Sequence, residues 1–119
     1  MLNYPLDEHI PPVYRTQLLR LNEAWSIRRV GEPGAPAYGT PDPGLLLWCE
    51  ENEFVLVTNN RKSMPTHLID HLARGRHVSG IFVVDPARSA TENAEALYLV
   101  AATAAPGEYQ DQIVYIPFW

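Results

Sequence analysis

The sequence predicts an α/β fold whose sheet is mostly parallel and covered by helices on both faces. Short apolar runs typical of buried strands alternate along the chain with longer amphipathic segments typical of helices. A helix between two strands is a crossover connection, which joins parallel strands. At 119 residues the chain is long enough for one hydrophobic core, so residues 1–119 are expected to form a single domain.

Five strands are expected, and each apolar run stops at a polar or turn-forming residue. The run Phe54–Thr58 is apolar up to its last residue, which is typical of a strand buried on both faces. It is therefore expected at the centre of the sheet. The predicted strands are Leu2–Leu6, Trp25–Val30, Phe54–Thr58, Gly80–Val84 and Gln112–Ile116.

Prolines and a capping box mark where the helices begin. Proline suits the first turn of a helix because an N–H has no partner there, and Ser89 with Glu92 matches a capping box. Residues 31–44 contain four prolines and four glycines and are expected to form a loop. The predicted helices begin at Pro11-Pro12, cover Leu45–Glu51, run from Pro65 to near Gly75, and cover Ala94–Ala104.

Charge and cysteine content narrow the class of protein. The net charge of −5 argues against nonspecific coating of nucleic acid, since that affinity comes from neutralising phosphates. No apolar run is long enough to span a bilayer and the first residues lack a signal-peptide pattern, so no membrane partner is expected. Cys49 is the single cysteine, which favours a reducing cytoplasm, and its apolar surroundings favour a buried side chain over a nucleophile.

Residues 61–77 are rich in basic residues and histidine. On charge alone, a solvated helix face is the simpler interpretation unless the segment borders an acidic pocket. His67 and His71 have the i, i+4 spacing of zinc-binding helices, but the residue after His67 is not the glutamate of the metalloprotease pattern. We therefore expect both histidines to lie on a rim near Arg61 and Lys62, where they contact phosphate, or else to donate to backbone carbonyls.

Three predicted strands end beside an acid or an amide. Asp7, Asn60 and Asp85 lie at or just past strand ends, and Asp42 precedes the helix that leads to the central strand. In open parallel sheets, ligands bind beyond the carboxyl ends of the strands, so these four residues are expected to converge there. Their oxygen atoms suit a hard cation such as Mg²⁺ or Mn²⁺, which can polarise a phosphodiester.

A structural interpretation of the same positions stays open. Asp42 would make a good N-cap with Pro43 at the first helical position. Asp85 before Pro86 is typical of a turn. Asn59 suits a turn as well, because asparagine hydrogen-bonds its own backbone and tolerates left-handed angles.

Three segments resemble a known family. LDEHIPP (6–12), TPDPGLLLWCEENEFVLVTNN (40–60) and MPTHL (64–68) are similar, in their order and spacing, to the small prokaryotic PIN-like domains. The resemblance implies a three-layer fold and a metal-dependent ribonuclease that uses Mg²⁺ or Mn²⁺. It also implies the toxin component of a bacterial toxin–antitoxin operon, with RNA as substrate and a small DNA-binding antitoxin as partner. A homodimer stays open.

The resemblance also assigns roles to individual residues. Asp7 and Asp42 would be the first two metal-binding acids, and Asn60 stands where the pattern has a third acid. Asp85 joins these metal ligands on strand-end geometry alone, and Arg61 with its basic neighbour would attract the phosphate backbone. Two alternatives remain: an active site in which Asn60 is a tolerated ligand, or a catalytically impaired domain that binds a protein.

Overall fold

The computed structural model describes residues 2–118, and in that range five strands alternate with four helices. Met1 and Trp119, the ends of the predicted domain, lie outside the described residues. The strands pair in the order β2-β1-β3-β4-β5, and every pair is parallel. In chain order the elements are β1 (Tyr4–Leu6), α1 (Val13–Leu21), β2 (Ile27–Arg29), α2 (Asp42–Asn52), β3 (Leu56–Thr58), α3 (Met64–Ala73), β4 (Ile81–Val84), α4 (Ala90–Thr103) and β5 (Ile113–Ile116).

Alternate side chains of the central strands β3 and β4 enter two hydrophobic cores, one on each face of the sheet. Leu6, Val57 and Phe82 belong to the core that contains α1 and α4, whereas Leu56 and Val83 belong to the core that contains α2 and α3. All five side chains are fully buried. The predicted α/β fold, with a parallel sheet and helices on both faces, is confirmed.

The strand order creates a switch point between β1 and β3. The chain leaves β1 through α1 to reach β2 on one side, and then returns through α2 to reach β3 on the other side. The segment after β1 leads to α1 and the segment after β3 leads to α3, and these two helices cover opposite faces of the sheet, so the two segments separate. They leave a crevice at the carboxyl ends of these two strands, where open α/β sheets place their ligands.

Helix α2 begins three residues earlier than the sequence pattern predicts. It starts at Asp42 rather than Leu45, and Pro41 occupies the N-cap position with extended backbone angles. Pro43 fits the first helical turn, and the Leu45 N–H donates to the Pro41 carbonyl at 3.0 Å. The earlier start brings the Asp42 side chain to the crevice.

Helix α4 begins at Ala90 because a side chain caps it there. The Ser89 hydroxyl accepts a hydrogen bond from the Glu92 N–H at 3.1 Å, which confirms the predicted capping residue. The helix therefore starts four residues before the predicted Ala94 and runs for 14 residues. Within residues 2–118, no helix combines the length and the apolar character needed to cross a membrane.

The single cysteine lies in the core beneath α2. Cys49 is 1% exposed and belongs to the same hydrophobic cluster as Leu46 and Leu56. Burial raises the pKa of its thiol to about 12, so the thiol stays protonated and unreactive in the folded chain. The prediction of a buried side chain is confirmed.

An ion pair joins two segments at the amino-terminal edge of the sheet, opposite the crevice. His77 Nδ1 lies 2.7 Å from Asp111 Oδ2, and Asp111 Oδ1 accepts a hydrogen bond from the Val78 N–H at 2.9 Å. The hydrogen bond to Asp111 raises the pKa of His77 above its usual range. Burial opposes ionisation of Asp111, but the hydrogen bonds from Val78 and His77 outweigh it and hold the pKa of that carboxyl below its usual range. The pair joins the segment before β4 to the turn before β5.

Two leucines of α4 provide a test of the core. Leu97 is fully buried and Leu99 is 46% exposed. Leu97→Ala should lower the free energy of unfolding by about 2–5 kcal/mol, because it removes buried methyl groups and leaves a cavity. The matched Leu99→Ala should change it by no more than about 0.5 kcal/mol. Urea denaturation measures both, and equal losses in the two variants would contradict this packing.

The His77–Asp111 pair should make stability depend on pH. Because the pKa of His77 is raised on folding, its stabilisation is present below the unfolded pKa of about 6.5 and is lost as pH rises through the folded pKa. Asp111→Asn should return the pKa of His77 towards 6.5 in an NMR titration. The control Asp70→Asn removes an exposed acid from α3 and should leave that pKa unchanged. A His77 titration unaltered in Asp111→Asn would refute the assignment.

Candidate functional site

An open cleft of about 410 Å³ lies at the switch point. Its walls come from the turn after β1, the loop before α2 and the turn after β3. The lining residues are Asp7, Glu8, His9, Thr40, Pro41, Asp42 and Asn60. Three residues that the sequence predicts to converge, Asp7, Asp42 and Asn60, therefore share one cleft.

Asp7 is held at the bottom of the cleft by the neighbouring strand. Its side chain is 5% exposed, and its Oδ2 accepts a hydrogen bond from the Thr58 hydroxyl at 2.8 Å. Its N–H donates to the Val57 carbonyl at 3.0 Å, which continues the parallel pairing of β1 with β3. The same Thr58 oxygen accepts from the Asn60 N–H at 3.1 Å. Thr58 thus connects the carboxylate of one strand to the turn that follows the other.

Ser63 fixes which way the Asn60 amide faces. The Ser63 N–H donates to Asn60 Oδ1 at 3.2 Å, and a backbone N–H can only donate, so oxygen must occupy this side of the amide. Asn60 Nδ2 consequently faces Asp42 and donates to its Oδ2 at 2.6 Å. The Ser63 hydroxyl lies 2.7 Å from the same nitrogen. Asn60 therefore presents an N–H donor to Asp42, where an aspartate would present a second carboxylate.

Asp42 takes its position from the start of α2. As the first helical residue, its carboxylate sits at the positive end of the helix dipole. Its Oδ2 accepts from Asn60 and lies 3.6 Å from His67 Nε2. The side chain makes no capping hydrogen bond and Pro41 holds the N-cap position, so the N-cap interpretation of Asp42 is wrong.

Glu8 and His9 connect the cleft to its surrounding loops. Glu8 Oε1 accepts a hydrogen bond from the Gly39 N–H at 3.2 Å, which ties the proline-rich loop to the turn after β1. Asn59 Nδ2 donates to the His9 carbonyl at 3.4 Å. These contacts give Glu8 and Asn59 a part in shaping the turns.

Asp85 does not join the cleft. It follows β4, and its Oδ1 accepts from the Ala87 N–H at 2.9 Å in a short turn. Its carbonyl accepts from Asn93 Nδ2 at 2.8 Å. Strand-end geometry alone places Asp85 on the correct edge of the sheet, but the turn that begins at Pro86 uses its carboxylate locally. The turn interpretation describes this position.

The basic residues and histidines separate into three places. Arg61 and Lys62 are exposed and follow Asn60 directly in the chain. His67 is half-buried behind Asp42. His71, one turn further along α3, is 7% exposed and its Nε2 lies 2.9 Å from Glu50 Oε1. It faces the far half of α2 instead of the predicted rim. Its Nε2 also lies 3.1 Å from the His77 carbonyl, in keeping with the alternative that this histidine contacts a backbone carbonyl.

The donor atoms of the cleft fit a divalent cation in part. Asp7 and Asp42 supply the carboxylate oxygens that Mg²⁺ and Mn²⁺ prefer. Asn60 supplies an N–H to the shared side of Asp42, and an N–H is no ligand. Among residues 2–118, no three His, Cys, Asp or Glu side chains come together in a group able to hold a metal. Of the four predicted ligands, Asp7 and Asp42 fit a cation, and Asn60 does so only if its amide turns. Asp85 lies outside the cleft.

Sequence reasoning misses two hydroxyl groups that organise this site. Thr58 holds Asp7 in place, and Ser63 holds Asn60 in place. A hydroxyl residue at the last position of an otherwise apolar buried strand was the available signal, because a buried hydroxyl needs a partner.

Comparison with known proteins gives no match. No protein-family model matches it. No curated protein matches it, and no solved structure matches it. The assignment of function therefore rests on the residues of the cleft.

The hydrogen bond from Thr58 to Asp7 can be tested with a valine, which has nearly the same shape as threonine but lacks the hydroxyl. Thr58→Val should lower the free energy of unfolding by about 1–3 kcal/mol, because the buried Asp7 carboxylate loses its donor. Thr58→Ser keeps the hydroxyl and should retain more of the stability. Thr103→Val removes an exposed hydroxyl that donates to Leu99 and serves as the control. Urea unfolding of Thr58→Val indistinguishable from that of the control would refute the role of this bond.

Proposed function

We propose that the cleft is the active site of an endoribonuclease that depends on Mg²⁺ or Mn²⁺. The observation that carries the proposal is the convergence of Asp7 and Asp42, from distant parts of the sequence, in one cleft at the carboxyl edge of the sheet. Arg61 and Lys62 follow the cleft residue Asn60 directly in the chain, and both are exposed. Paired carboxylates next to basic residues suit a cation and a phosphodiester together.

In this proposal, the residues in and beside the cleft have different roles. Asp7 and Asp42 would hold the cation, which when bound supplies positive charge to the phosphodiester and lowers the pKa of water. Thr58 keeps Asp7 in one orientation by donating to its Oδ2. Arg61 and Lys62 attract the phosphate backbone and orient it towards the carboxylates.

The biological setting in this proposal is the toxin half of a bacterial toxin–antitoxin pair. Its partner would be a small DNA-binding antitoxin that covers the cleft, and its compartment the cytoplasm, which suits a chain whose only cysteine is a buried thiol. Both parts come from the PIN-like resemblance of the segments around Asp7, Asp42 and Asn60.

A second candidate function is protein binding by a catalytically impaired domain of the same kind. The orientation of the Asn60 amide favours it. Asn60 Nδ2 donates to Asp42 Oδ2 at 2.6 Å and thereby satisfies a carboxylate oxygen that a cation would otherwise neutralise. Ser63 holds the amide in this orientation through its N–H.

RNA cleavage by the purified protein with Mn²⁺ or Mg²⁺ tests the proposal. We expect cleavage that EDTA and Asp7→Asn abolish. Asn60→Asp should lower the cation concentration needed for half-maximal cleavage at least about tenfold, because it replaces a donor by a charge that attracts the cation. Asn59→Asp adds the same charge one residue away, outside the cleft lining, and should have a much smaller effect.

The four preparations separate the two candidate functions. Cleavage by wild type that is lost in Asp7→Asn supports the nuclease. If wild type and Asn60→Asp are both folded and inactive at every cation concentration, the nuclease proposal is overturned and protein binding takes its place. Cleavage that survives in Asp7→Asn overturns the site itself.

A further inference from the structure

An aromatic and basic surface lies on the carboxyl edge of the sheet beside the cleft. Tyr115 is on the edge strand β5 and is 44% exposed. The guanidinium carbon of Arg61 lies 4.9 Å from the centre of the Tyr115 ring, in a cation–π contact. Phe118 follows three residues later and is 54% exposed. At Tyr115, an exposed ring is paired with a positive charge.

The register of the sheet ties this surface to the cleft. Thr58 pairs with Val83, and Val83 pairs with Tyr115, so the three residues form one row across β3, β4 and β5. Two strand spacings separate Thr58 from Tyr115, which is about 10 Å. Arg61 spans this distance, because its backbone follows the cleft residue Asn60 and its side chain reaches the ring on β5.

The chemistry of the pair suits a nucleobase. A guanidinium group is planar, and the guanidinium carbon of Arg61 lies 4.9 Å from the centre of the Tyr115 ring. A base that stacks on the outer face, or on the exposed part of the ring, gains both stacking and cation–π energy. Lys62, exposed beside Arg61, offers a contact for the phosphate of the same nucleotide.

We propose that Arg61 and Tyr115 form a base-stacking surface that holds single-stranded RNA next to the cleft. The inference rests on the proposed nuclease function and names the form of its substrate. Only an unpaired strand offers the faces of its bases to a side chain. Continuity with the cleft favours RNA over an acidic protein as the occupant.

Fluorescence anisotropy with a short labelled RNA tests the surface in an Asp7→Asn background, where the RNA stays intact. Tyr115→Leu and Arg61→Ala should each weaken binding of the single strand about tenfold, in keeping with the loss of one stacked base. Tyr115→Phe keeps the ring and should bind like the parent. Arg20→Ala removes an exposed charge from α1 and is the matched control for Arg61. The same RNA as a duplex should bind more weakly and without dependence on Tyr115.

The outcomes separate this inference from the nuclease proposal. If the parent binds no single strand, or if Tyr115→Leu binds as tightly as the parent, the stacking surface is overturned and an acidic protein becomes the candidate occupant. If Tyr115→Leu loses RNA binding while no cation supports cleavage by wild type or Asn60→Asp, the surface stands and the nuclease fails. Circular dichroism of each variant checks that β5 remains folded, and Tyr115→Phe gives a second measurement if Tyr115→Leu does not fold.

Discussion

The parallel pairing of β1 with β3 is the constraint on which the site depends. It places Asp7 beside Thr58 at the ends of neighbouring strands, where the buried carboxylate finds the donor that a buried charge requires. The same Thr58 hydroxyl accepts a hydrogen bond from the Asn60 N–H in the turn after β3. The Asn60 side chain in turn donates to Asp42. One hydroxyl at a strand end thus links the core of the sheet to the geometry of the cleft.

The fold follows from the sequence because the apolar runs and their helical connections allow few other arrangements. The convergence of Asp7, Asp42 and Asn60 follows as well, since carboxyl ends of parallel strands share one edge. The environment of His71 does not follow, because an i, i+4 spacing defines a helix face without saying that Glu50 of α2 covers it. Asp85 differs for a local reason: its own turn uses the carboxylate.

The orientation of the Asn60 side-chain amide is the feature of the site that the sequence specifies least. An asparagine amide carries an acceptor oxygen and a donor nitrogen, so pattern and spacing cannot say which of the two faces Asp42. That choice depends on a single backbone N–H, from Ser63, three residues along the turn. Of the carboxylates that line the cleft, Asp7 accepts a hydrogen bond from Thr58 and Asp42 accepts one from Asn60.

The buried cysteine has a consequence for how this cleft can be observed. Cys49 and Asp42 belong to the same helix, α2, with the thiol in the core and the carboxylate at the cleft. Alkylating reagents attack thiolates, so the folded chain should resist them until α2 lifts from the sheet. Such an opening would also dismantle the cleft. The rate at which Cys49 is alkylated would therefore report how often α2, the helix that supplies Asp42 to the cleft, separates from the sheet. No introduced label is needed.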